Sequence, residues 1–282
     1  MTVGIVGLGL IGGSMAKAYS QSGTDTVLGW DIDTPILEYA RLRGALSGIL
    51  TDENLPSCDL LFIGLYPQAA IDYLTEKAPL IATDTVVIDL CGIKSAVCAA
   101  GFALAQKYGF TFVGGHPMAG RQFSGFKYSR ADMFHGAPMV IVPPRTDDIF
   151  LLDRVKKMLA PAGFGRITVS TADKHDERIA FTSQLAHVVS NAYVKSPTAR
   201  THDGFSAGSY KDLTRVARLN EHMWSELFVA NKGHLVNELD CLIGELQKYR
   251  DAIDAGDTDT VRELLRDGRE QKERIDGGTA QK

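Results

Sequence analysis

The chain has few of the features typical of secreted, membrane-spanning or nucleic-acid-binding proteins. Its 282 residues include only four cysteines, and no two of these form a CxxC pair, which argues against a disulfide framework or a zinc site. No apolar run approaches the roughly 18 residues of a membrane-spanning helix, and no basic leader precedes the first apolar run. A net charge of −4 offers no positive surface for nucleic acid or anionic lipid. We expect a cytoplasmic protein with free thiols and no metal, nucleic-acid or membrane partner.

Strand and helix patterns alternate regularly over the first part of the chain. Apolar runs such as Thr2–Val6, "CDLLFIGLYP" and "DTVVIDLCG" are typical of strands that are covered on both faces. Stretches with helical spacing separate them. This alternation predicts a Rossmann-type, doubly wound and mainly parallel α/β sheet. We therefore assign residues 1–170 to a dinucleotide-binding domain.

Beyond residue 170 we find helical spacing and no convincing strand, which predicts an all-α domain over residues 171–282. An apolar seam in this part is formed by Leu235, Leu239, Leu242 and Leu246. Such a seam fits either an intrachain core or a subunit interface, and we expect a homodimer through this domain. Residues 267–282 are polar and are expected to fray.

A glycine-rich turn separates the first predicted strand from the first helix. In it, Gly7 permits a tight turn, Gly9 lets the backbone approach a pyrophosphate, and Gly12 permits close helix–strand packing. Asp31 ends the second strand, 19 positions after Gly12, where an acidic side chain binds a ribose diol and repels a 2′-phosphate. The alternative is that Asp31 only forms a turn with Asp33. We expect NAD as the cofactor in preference to NADP.

His116 follows a strand and lies between two glycines and a proline in "GGHPMAG". Ligands of open α/β sheets bind beyond the carboxyl ends of the strands, and imidazole accepts a proton near neutral pH. His116 is therefore a candidate catalytic group, and the alternative is a surface-loop histidine without a role.

The chain resembles the prephenate and arogenate dehydrogenases along almost its whole length. The resemblance rests on "GLGLIGGS", "IDLCGIK", "GGHPMAGRQFSGF", "TSQLAHVVSNA" and "FSAGSYKDLTRVA". It implies NAD-dependent oxidative decarboxylation of prephenate to 4-hydroxyphenylpyruvate, or of arogenate to tyrosine, in tyrosine biosynthesis. The sequence does not distinguish between these two substrates.

The same resemblance implies roles for three residues. It makes His116 the catalytic group, gives Arg215 a substrate carboxylate to bind, and places His187 in the substrate pocket. A guanidinium suits this task because its fork binds a carboxylate with two hydrogen bonds. Arg218 lies one turn further along the same predicted helix face and is the alternative to Arg215. The alternative interpretation of His187 is a histidine of the core or of an interface, without a role in the substrate pocket.

The chain departs from the family pattern at the loop after the fourth predicted strand. Many members carry a serine there, in a G-S-x-K pattern, which hydrogen-bonds near the catalytic histidine. Here the sequence is "CGIK", so the serine position corresponds to Gly92. The orientation of His116 is therefore open, Ser95 lies nearby, and Lys94 either contacts cofactor or substrate or is a solvated charge. The other histidines carry no motif and are interpreted as structural or surface residues: His135, His175, His202, His222 and His234.

Two other classes of function fit a Rossmann domain followed by helices. One is an oxidoreductase of the β-hydroxyacid dehydrogenase or imine reductase type, which uses a lysine or an acid of the helical domain and lacks an HPMAG loop. The other is a non-catalytic dinucleotide-binding regulator, which would bind NAD without turnover.

Overall fold

The computed structural model describes residues 1–121 and 123–279. Within these residues a single eight-stranded sheet has the order β3-β2-β1-β4-β5-β6-β7-β8. The strands are β1 Thr2–Val6, β2 Thr26–Trp30, β3 Gly48–Ile49, β4 Leu60–Ile63, β5 Val86–Asp89, β6 Thr111–Pro117, β7 Pro138–Val142 and β8 Arg166–Val169. The helices are α1 Leu10–Ser22, α2 Thr34–Leu42, α3 Pro67–Lys77, α4 Ser95–Tyr108, α5 Ile149–Met158, α6 Ala172–Ile179, α7 Ala186–Tyr193, α8 Gly208–Thr214, α9 Glu221–Ala230, α10 Lys232–Asp254 and α11 Thr258–Thr279. The predicted Rossmann-type sheet followed by helices is confirmed.

The sheet brings several strand ends to one edge. β1, β2, β4, β5 and β6 pair in parallel, so their carboxyl ends meet there, whereas β6 and β7 pair antiparallel. All residues of β4 and β5 are buried, as their continuous apolar runs predict. Helix α1 packs against β1 and β2, and α4 packs against β6. Residues at the ends of β1, β5 and β6 are therefore positioned next to the starts of helices.

Side chains at helix starts explain several boundaries. Asp33 accepts a hydrogen bond from the Ile36 N–H and caps α2, and Pro35 occupies the first turn. Thr171 caps α6 in the same way by accepting from the Lys174 N–H. Strand β8 ends at Val169 and α6 begins at Ala172, so only a short connection separates the sheet from the helices that follow.

The chain divides by its internal contacts into two compact units, Met1–Lys232 and Gly233–Lys282. The predicted division at residue 170 falls inside the first unit and stays a prediction. It coincides with the end of the sheet, since from Ala172 onward the described residues form helices and connections without strands. None of the helices in the described residues combines the length and apolar character needed to cross a bilayer.

The prediction that residues 267–282 fray is wrong for the described part, since α11 continues to Thr279. Pairs of opposite charge one turn apart stabilise its polar surface. Arg269 binds Glu273 at 2.8 Å, and Lys272 binds Asp276. Such i,i+4 pairs support a helix that has few apolar contacts. The last three residues lie outside the described residues.

Candidate active site

The glycine turn between β1 and α1 has two glycines that the protein's own packing requires. Gly7 has a φ of +85°, which favours glycine. A Cβ on Gly12 would lie 1.9 Å from the Gly7 carbonyl oxygen. A Cβ on Gly9, in contrast, would meet no other described atom within 4 Å. Gly9 therefore faces open space at the start of α1, where the helix N-terminus favours a phosphate group.

Asp31 is tied to this turn by backbone hydrogen bonds. The Leu8 N–H donates to Asp31 Oδ2 at 2.7 Å, and the Asp33 N–H donates to Asp31 Oδ1 at 2.9 Å. The turn with Asp33 and the contact with the glycine loop are thus both present. Each carboxylate oxygen keeps a second acceptor position, which suits the hydroxyl groups of a ribose.

His116 lies near the end of β6, opposite Val140 of β7. Its neighbour Gly115 is required by close packing, because a Cβ there would lie 2.6 Å from the Asp89 carbonyl oxygen. The His116 ring is partly buried, and its Nδ1 lies 2.8 Å from Nε2 of His175. His116 is therefore held through one ring nitrogen. No hydrogen bond to its Nε2 is present among the described residues.

His175 and Asp176 extend this contact into the protein. His175 Nδ1 lies 2.7 Å from Asp176 Oδ1, and both side chains are almost completely buried. Asp176 also accepts hydrogen bonds from the Lys94 N–H at 2.7 Å, the Ser95 N–H at 2.8 Å and the Ser95 hydroxyl at 2.5 Å. We call His116, His175 and Asp176 the histidine chain.

Burial sets the charge state of the histidine chain. It lowers the pKa of His116 well below its ordinary value, and the nearby His175 and Lys94 lower this pKa further. It also lowers the pKa of His175, against the opposing hydrogen bond to Asp176. Burial would raise the pKa of Asp176, but its hydrogen bonds outweigh this and the pKa is lowered. At neutral pH both imidazoles are therefore neutral and the carboxylate is ionised.

Lys94 is fully buried, so the alternative of a solvated charge is wrong. Its Nζ binds the carboxylate of Asp89 and donates to the Gly115 carbonyl at 2.6 Å. Burial would lower the Lys94 pKa, but the charge of Asp89, its hydrogen bond to Lys94 and the nearby Cys91 and Cys98 together outweigh it, and the pKa is raised. Asp89 also accepts from the N–H groups of Cys91 and Gly115. This buried ion pair joins the ends of β5 and β6, and removing either partner would leave an unpaired charge.

Gly92, at the position of the family serine, has room for a side chain. A Cβ there would lie 3.6 Å from the methyl groups of Leu227, an ordinary contact distance. Ser95 does not contact His116, since its hydroxyl and its N–H both bind Asp176. The nearby serine thus acts on the far end of the histidine chain.

A second group of residues surrounds His187. A π-helical segment, Ala180–Leu185, precedes its helix α7, and such segments often mark functional sites. His187 Nδ1 donates to the Ser183 carbonyl at 2.7 Å, and its ring centroid lies 4.0 Å from that of Trp224. Burial lowers the pKa of His187, and the charge of Arg215 lowers it further. His187 and Arg215 are therefore neighbours, and we call them the His187–Arg215 pair.

Arg215 is exposed and forms no ion pair with any described carboxylate. Asn231 joins the histidine chain to the segment before His187, because its Nδ2 donates to the Asp176 carbonyl and to Gln184 Oε1, each at 2.8 Å. Gln184 precedes His187 by about one helical turn. No hydrogen bond or ion pair within the described ranges joins His116 directly to Arg215.

Sequence reasoning missed His175, Asp176 and Asn231 as members of the site. They stand outside any recognised motif, and the weak signal is a histidine followed by an acid at the start of the first helix after the sheet. Their role depends on side chains far apart in the chain, since His116 and His175 are 59 positions apart.

Two protein-family models match the chain. One, described as the nucleotide-binding domain of prephenate dehydrogenase, matches residues 15–168. The other, described as the dimerization domain of prephenate dehydrogenase, matches residues 171–267. Together they cover most of the 282 residues.

Relatives and solved structures agree with these matches. The chain is 27% identical to a cyclohexadienyl dehydrogenase of Zymomonas mobilis, over 97% of this chain and 94% of that protein. It is 25% identical to a prephenate dehydrogenase of Bacillus subtilis, over 92% of this chain and 72% of that protein. A crystal structure of prephenate dehydrogenase from A. aeolicus, in complex with hydroxyphenyl propionate and NAD+, shares the fold with a TM-score of 0.83. That similarity spans 98% of both chains at 24% identity.

Proposed function

The chain belongs to the prephenate dehydrogenase family, and we propose that it catalyses the NAD-dependent oxidative decarboxylation of prephenate or arogenate. The products would be 4-hydroxyphenylpyruvate or tyrosine, in tyrosine biosynthesis. The observation that carries this proposal is His116 itself. A neutral imidazole at the carboxyl edge of a Rossmann-type sheet, whose hydrogen bond to the described residues is made through Nδ1, has its Nε2 available to accept a proton.

The glycine turn and Asp31 fit a dinucleotide. Open space at Gly9, beside the start of α1, leaves the backbone accessible to a pyrophosphate, and Asp31 has acceptor positions for a ribose diol. We assign Gly7, Gly9, Gly12 and Asp31 to cofactor binding, within a domain of residues 1–170. Bound NAD+ supplies the acceptor for the hydride of the substrate. The carboxylate of Asp31 disfavours a 2′-phosphate, which favours NAD over NADP.

His116 handles the proton of the substrate hydroxyl group. As hydride leaves the carbon that bears this hydroxyl, a carbonyl forms and Nε2 of His116 accepts the proton. As carbon dioxide leaves and the ring becomes aromatic, the same oxygen becomes a phenol and takes the proton back. The reaction therefore consumes no net proton, which suits an imidazole with a depressed pKa. Such a group binds the proton weakly and returns it readily.

The His187–Arg215 pair would bind the substrate. Arg215 is a cation without a carboxylate partner among the described residues, so it is available for a substrate carboxylate. His187 uses Nδ1 to bind Ser183, which leaves Nε2 for the ligand. Burial and the charge of Arg215 lower the His187 pKa and so keep this ring neutral.

We also propose that residues 171–282 form the substrate and dimerization domain of a homodimer. The apolar seam on α10 supports this. Its first residue, Leu235, is buried within the chain, but its last residue, Leu246, is 57% exposed. The neighbouring Val236 and Ile243 are also exposed. An exposed apolar helix face of this kind is typical of a subunit interface.

We propose a cytoplasmic location, because cysteines that are free and mostly buried suit the reducing cytoplasm.

A steady-state assay with each substrate and each nicotinamide cofactor tests the proposed activity. We expect reduced cofactor to form with NAD and with prephenate, arogenate or both, and less with NADP. Cofactor binding without reduction, for both substrates, would favour the regulator class instead.

Two glycine variants test the assigned cofactor site. Gly9→Ala introduces a Cβ into open space, so we expect unchanged stability and NAD affinity weaker by about tenfold, since a methyl group displaces the pyrophosphate. Gly12→Ala forces a Cβ against the Gly7 carbonyl, so its thermal midpoint should fall. Titration calorimetry and thermal unfolding measure the two effects, and equal NAD affinity in Gly9→Ala and the native protein would contradict the assignment.

A further inference from the structure

The histidine chain does more than hold His116 in place. We infer that His175 is a positioning residue that fixes the tautomer of His116, and that His175 and Asp176 share the proton that His116 takes from the substrate. The second part rests on the proposed function, whereas the first part stands on the hydrogen bonds alone.

The hydrogen bonds to Asp176 determine where its partners carry their protons. A carboxylate has about four acceptor positions. In Asp176 the N–H of Lys94, the N–H of Ser95 and the hydroxyl of Ser95 fill three of them. Two of these are backbone N–H groups, which are obligatory donors. The fourth contact is His175 Nδ1, which must therefore donate to the ionised carboxylate.

The tautomer of His116 follows from this one. Since a neutral His175 carries its proton on Nδ1, its Nε2 has a lone pair and accepts. His116 Nδ1, at 2.8 Å, must then carry the proton and donate. The Nε2 of His116 is thus left without a proton, which is the form required of a general base. The opposite tautomer would present an N–H to the substrate hydroxyl.

The same contacts offer a path for the transferred proton. When His116 Nε2 accepts the hydroxyl proton, its Nδ1 proton moves to Nε2 of His175. The positive charge then lies on His175, beside the carboxylate of Asp176, and His116 is neutral again. The reverse transfers return the proton when the substrate oxygen becomes a phenol. His116 accepts a proton at Nε2 and passes one on from Nδ1, and the reverse transfers undo both steps, so the chain is restored after each turnover.

The charges around the two rings explain why this pairing matters. The buried Lys94 ammonium disfavours a cation on either histidine. Asp176 favours a cation on both rings, and Asp89 favours one on His175. Asp176 is hydrogen-bonded to His175 at 2.7 Å, whereas Asp89 is already bound to Lys94. The place in this cluster where a proton is stabilised best is therefore His175. Removing His175 takes away that place and leaves His116 beside the Lys94 charge.

The tautomer is measured directly by ¹⁵N NMR of the imidazole nitrogens, with the His116 signals assigned through His116→Asn. In the native protein we expect a proton on Nδ1 of His116 and none on Nε2. His175→Gln keeps an acceptor oxygen for Nδ1 and should preserve this tautomer. His175→Leu has no acceptor and should lose it. A proton on Nε2 in the native protein, or the same tautomer in His175→Leu, would overturn the inference.

Kinetics of the same variants test the sharing of the proton. We expect kcat to fall about tenfold in His175→Gln, which positions His116 but cannot take a proton, and about 100-fold in His175→Leu. NAD affinity should stay within about twofold, since glycines and Asp31 bind the cofactor. The acidic limb of the pH profile of kcat/KM should move to lower pH in His175→Gln, because the protonated pair loses its contact with Asp176.

Several outcomes separate the possible failures. His135→Gln, a change at an exposed histidine, is the matched control and should leave kcat and the pH profile unchanged. An acidic limb that stays in place in His175→Gln, with only a lower thermal midpoint, would reduce His175 to a structural role. If the native protein forms no reduced cofactor with either substrate, the proposed function fails. The NMR measurement then still decides the tautomer.

Discussion

The two histidine-bearing groups of the site differ in how many of their polar and charged atoms have a partner within the protein. In the histidine chain His175 and Asp176 are buried and His116 is partly buried, and hydrogen bonds fix it from His116 to Asp176. The His187–Arg215 pair is open at one end, because Arg215 is exposed and has no carboxylate partner among the described residues. The first group has its partners before any ligand arrives, and the second lacks one.

This difference matches the two tasks of such an enzyme. A group that moves a proton benefits from fixed surroundings, because they need no reorganisation during the reaction. A group that binds a charged substrate must leave its own charge available, and an internal carboxylate would compete with the ligand. The comparison therefore predicts losses in kcat from the first group and losses in substrate capture from the second.

His116→Asn should give the largest effect. The variant keeps a polar side chain but cannot act as a base, so we expect kcat to fall about 10²- to 10⁴-fold. NAD affinity should remain nearly intact, since the proposed cofactor contacts lie at the glycine turn. Stopped-flow and steady-state measurement of cofactor reduction, with calorimetric titration of NAD, would establish both. Comparable turnover in the variant would remove His116 from the mechanism and would end the contrast between the two groups.

Arg215→Ala should have the next largest effect and a different signature. Loss of a charged hydrogen bond to a carboxylate typically costs about 1.5–3 kcal/mol, so we expect kcat/KM for the substrate to fall roughly 10- to 100-fold. A large share of this loss should appear in KM, with NAD affinity unchanged.

Helix α8 ends at Thr214, so the predicted helix face shared by Arg215 and Arg218 is not observed. Arg218→Ala is still the matched control, because Arg218 lies three positions further along the chain and is also exposed. It should leave kcat/KM within about twofold of the native value, as is usual for a surface charge. The reverse result, a loss in Arg218→Ala with Arg215→Ala unaffected, would exchange the roles of the two arginines.

The comparison also shows which parts of the site a sequence can reveal. The glycine turn was predictable because its residues are adjacent in the chain and serve one local geometry. The position of His116 at the sheet edge was predictable because a glycine-rich loop follows a strand there, and ligands of such sheets bind at that edge; its catalytic role stays a prediction. The resemblance supplied Arg215 and His187, and residue spacing alone did not separate Arg215 from Arg218.

The buried partners were not predictable for a physical reason. His175 meets His116 across 59 positions, and Asn231 meets Asp176 across 55. Such pairs depend on how helices pack on a sheet edge, which no local periodicity encodes. The buried state of Lys94 was hidden for the same reason, since its partner Asp89 is nearby in sequence but the depth of the pair depends on tertiary packing. The continued α11 was missed because its stability comes from surface ion pairs.

The smallest predicted effect concerns the pH dependence of stability, to which the histidine chain contributes two histidines of lowered pKa and the His187–Arg215 pair one. Burial lowers the pKa of His116 and His175, whereas in the unfolded chain each would titrate at about 6.5. As the pH falls below that value, the unfolded state binds protons that the folded state excludes. The free energy of unfolding should therefore be highest above about pH 7 and fall by up to about 1.4 kcal/mol per pH unit for each excluded proton.

Urea unfolding between pH 7.5 and 5.5, at one fixed protein concentration because of the expected dimer, would measure this slope. Asp176 does not interfere, because its lowered pKa affects stability only below about pH 4. His116→Asn removes one excluded proton and should make the dependence clearly shallower. Arg215→Ala should change it less, because burial still lowers the His187 pKa when the charge of Arg215 is gone. Equal slopes in the native protein and His116→Asn would mean that His116 accepts a proton in the folded state as easily as in water. The histidine chain would then be no more preorganised than the His187–Arg215 pair.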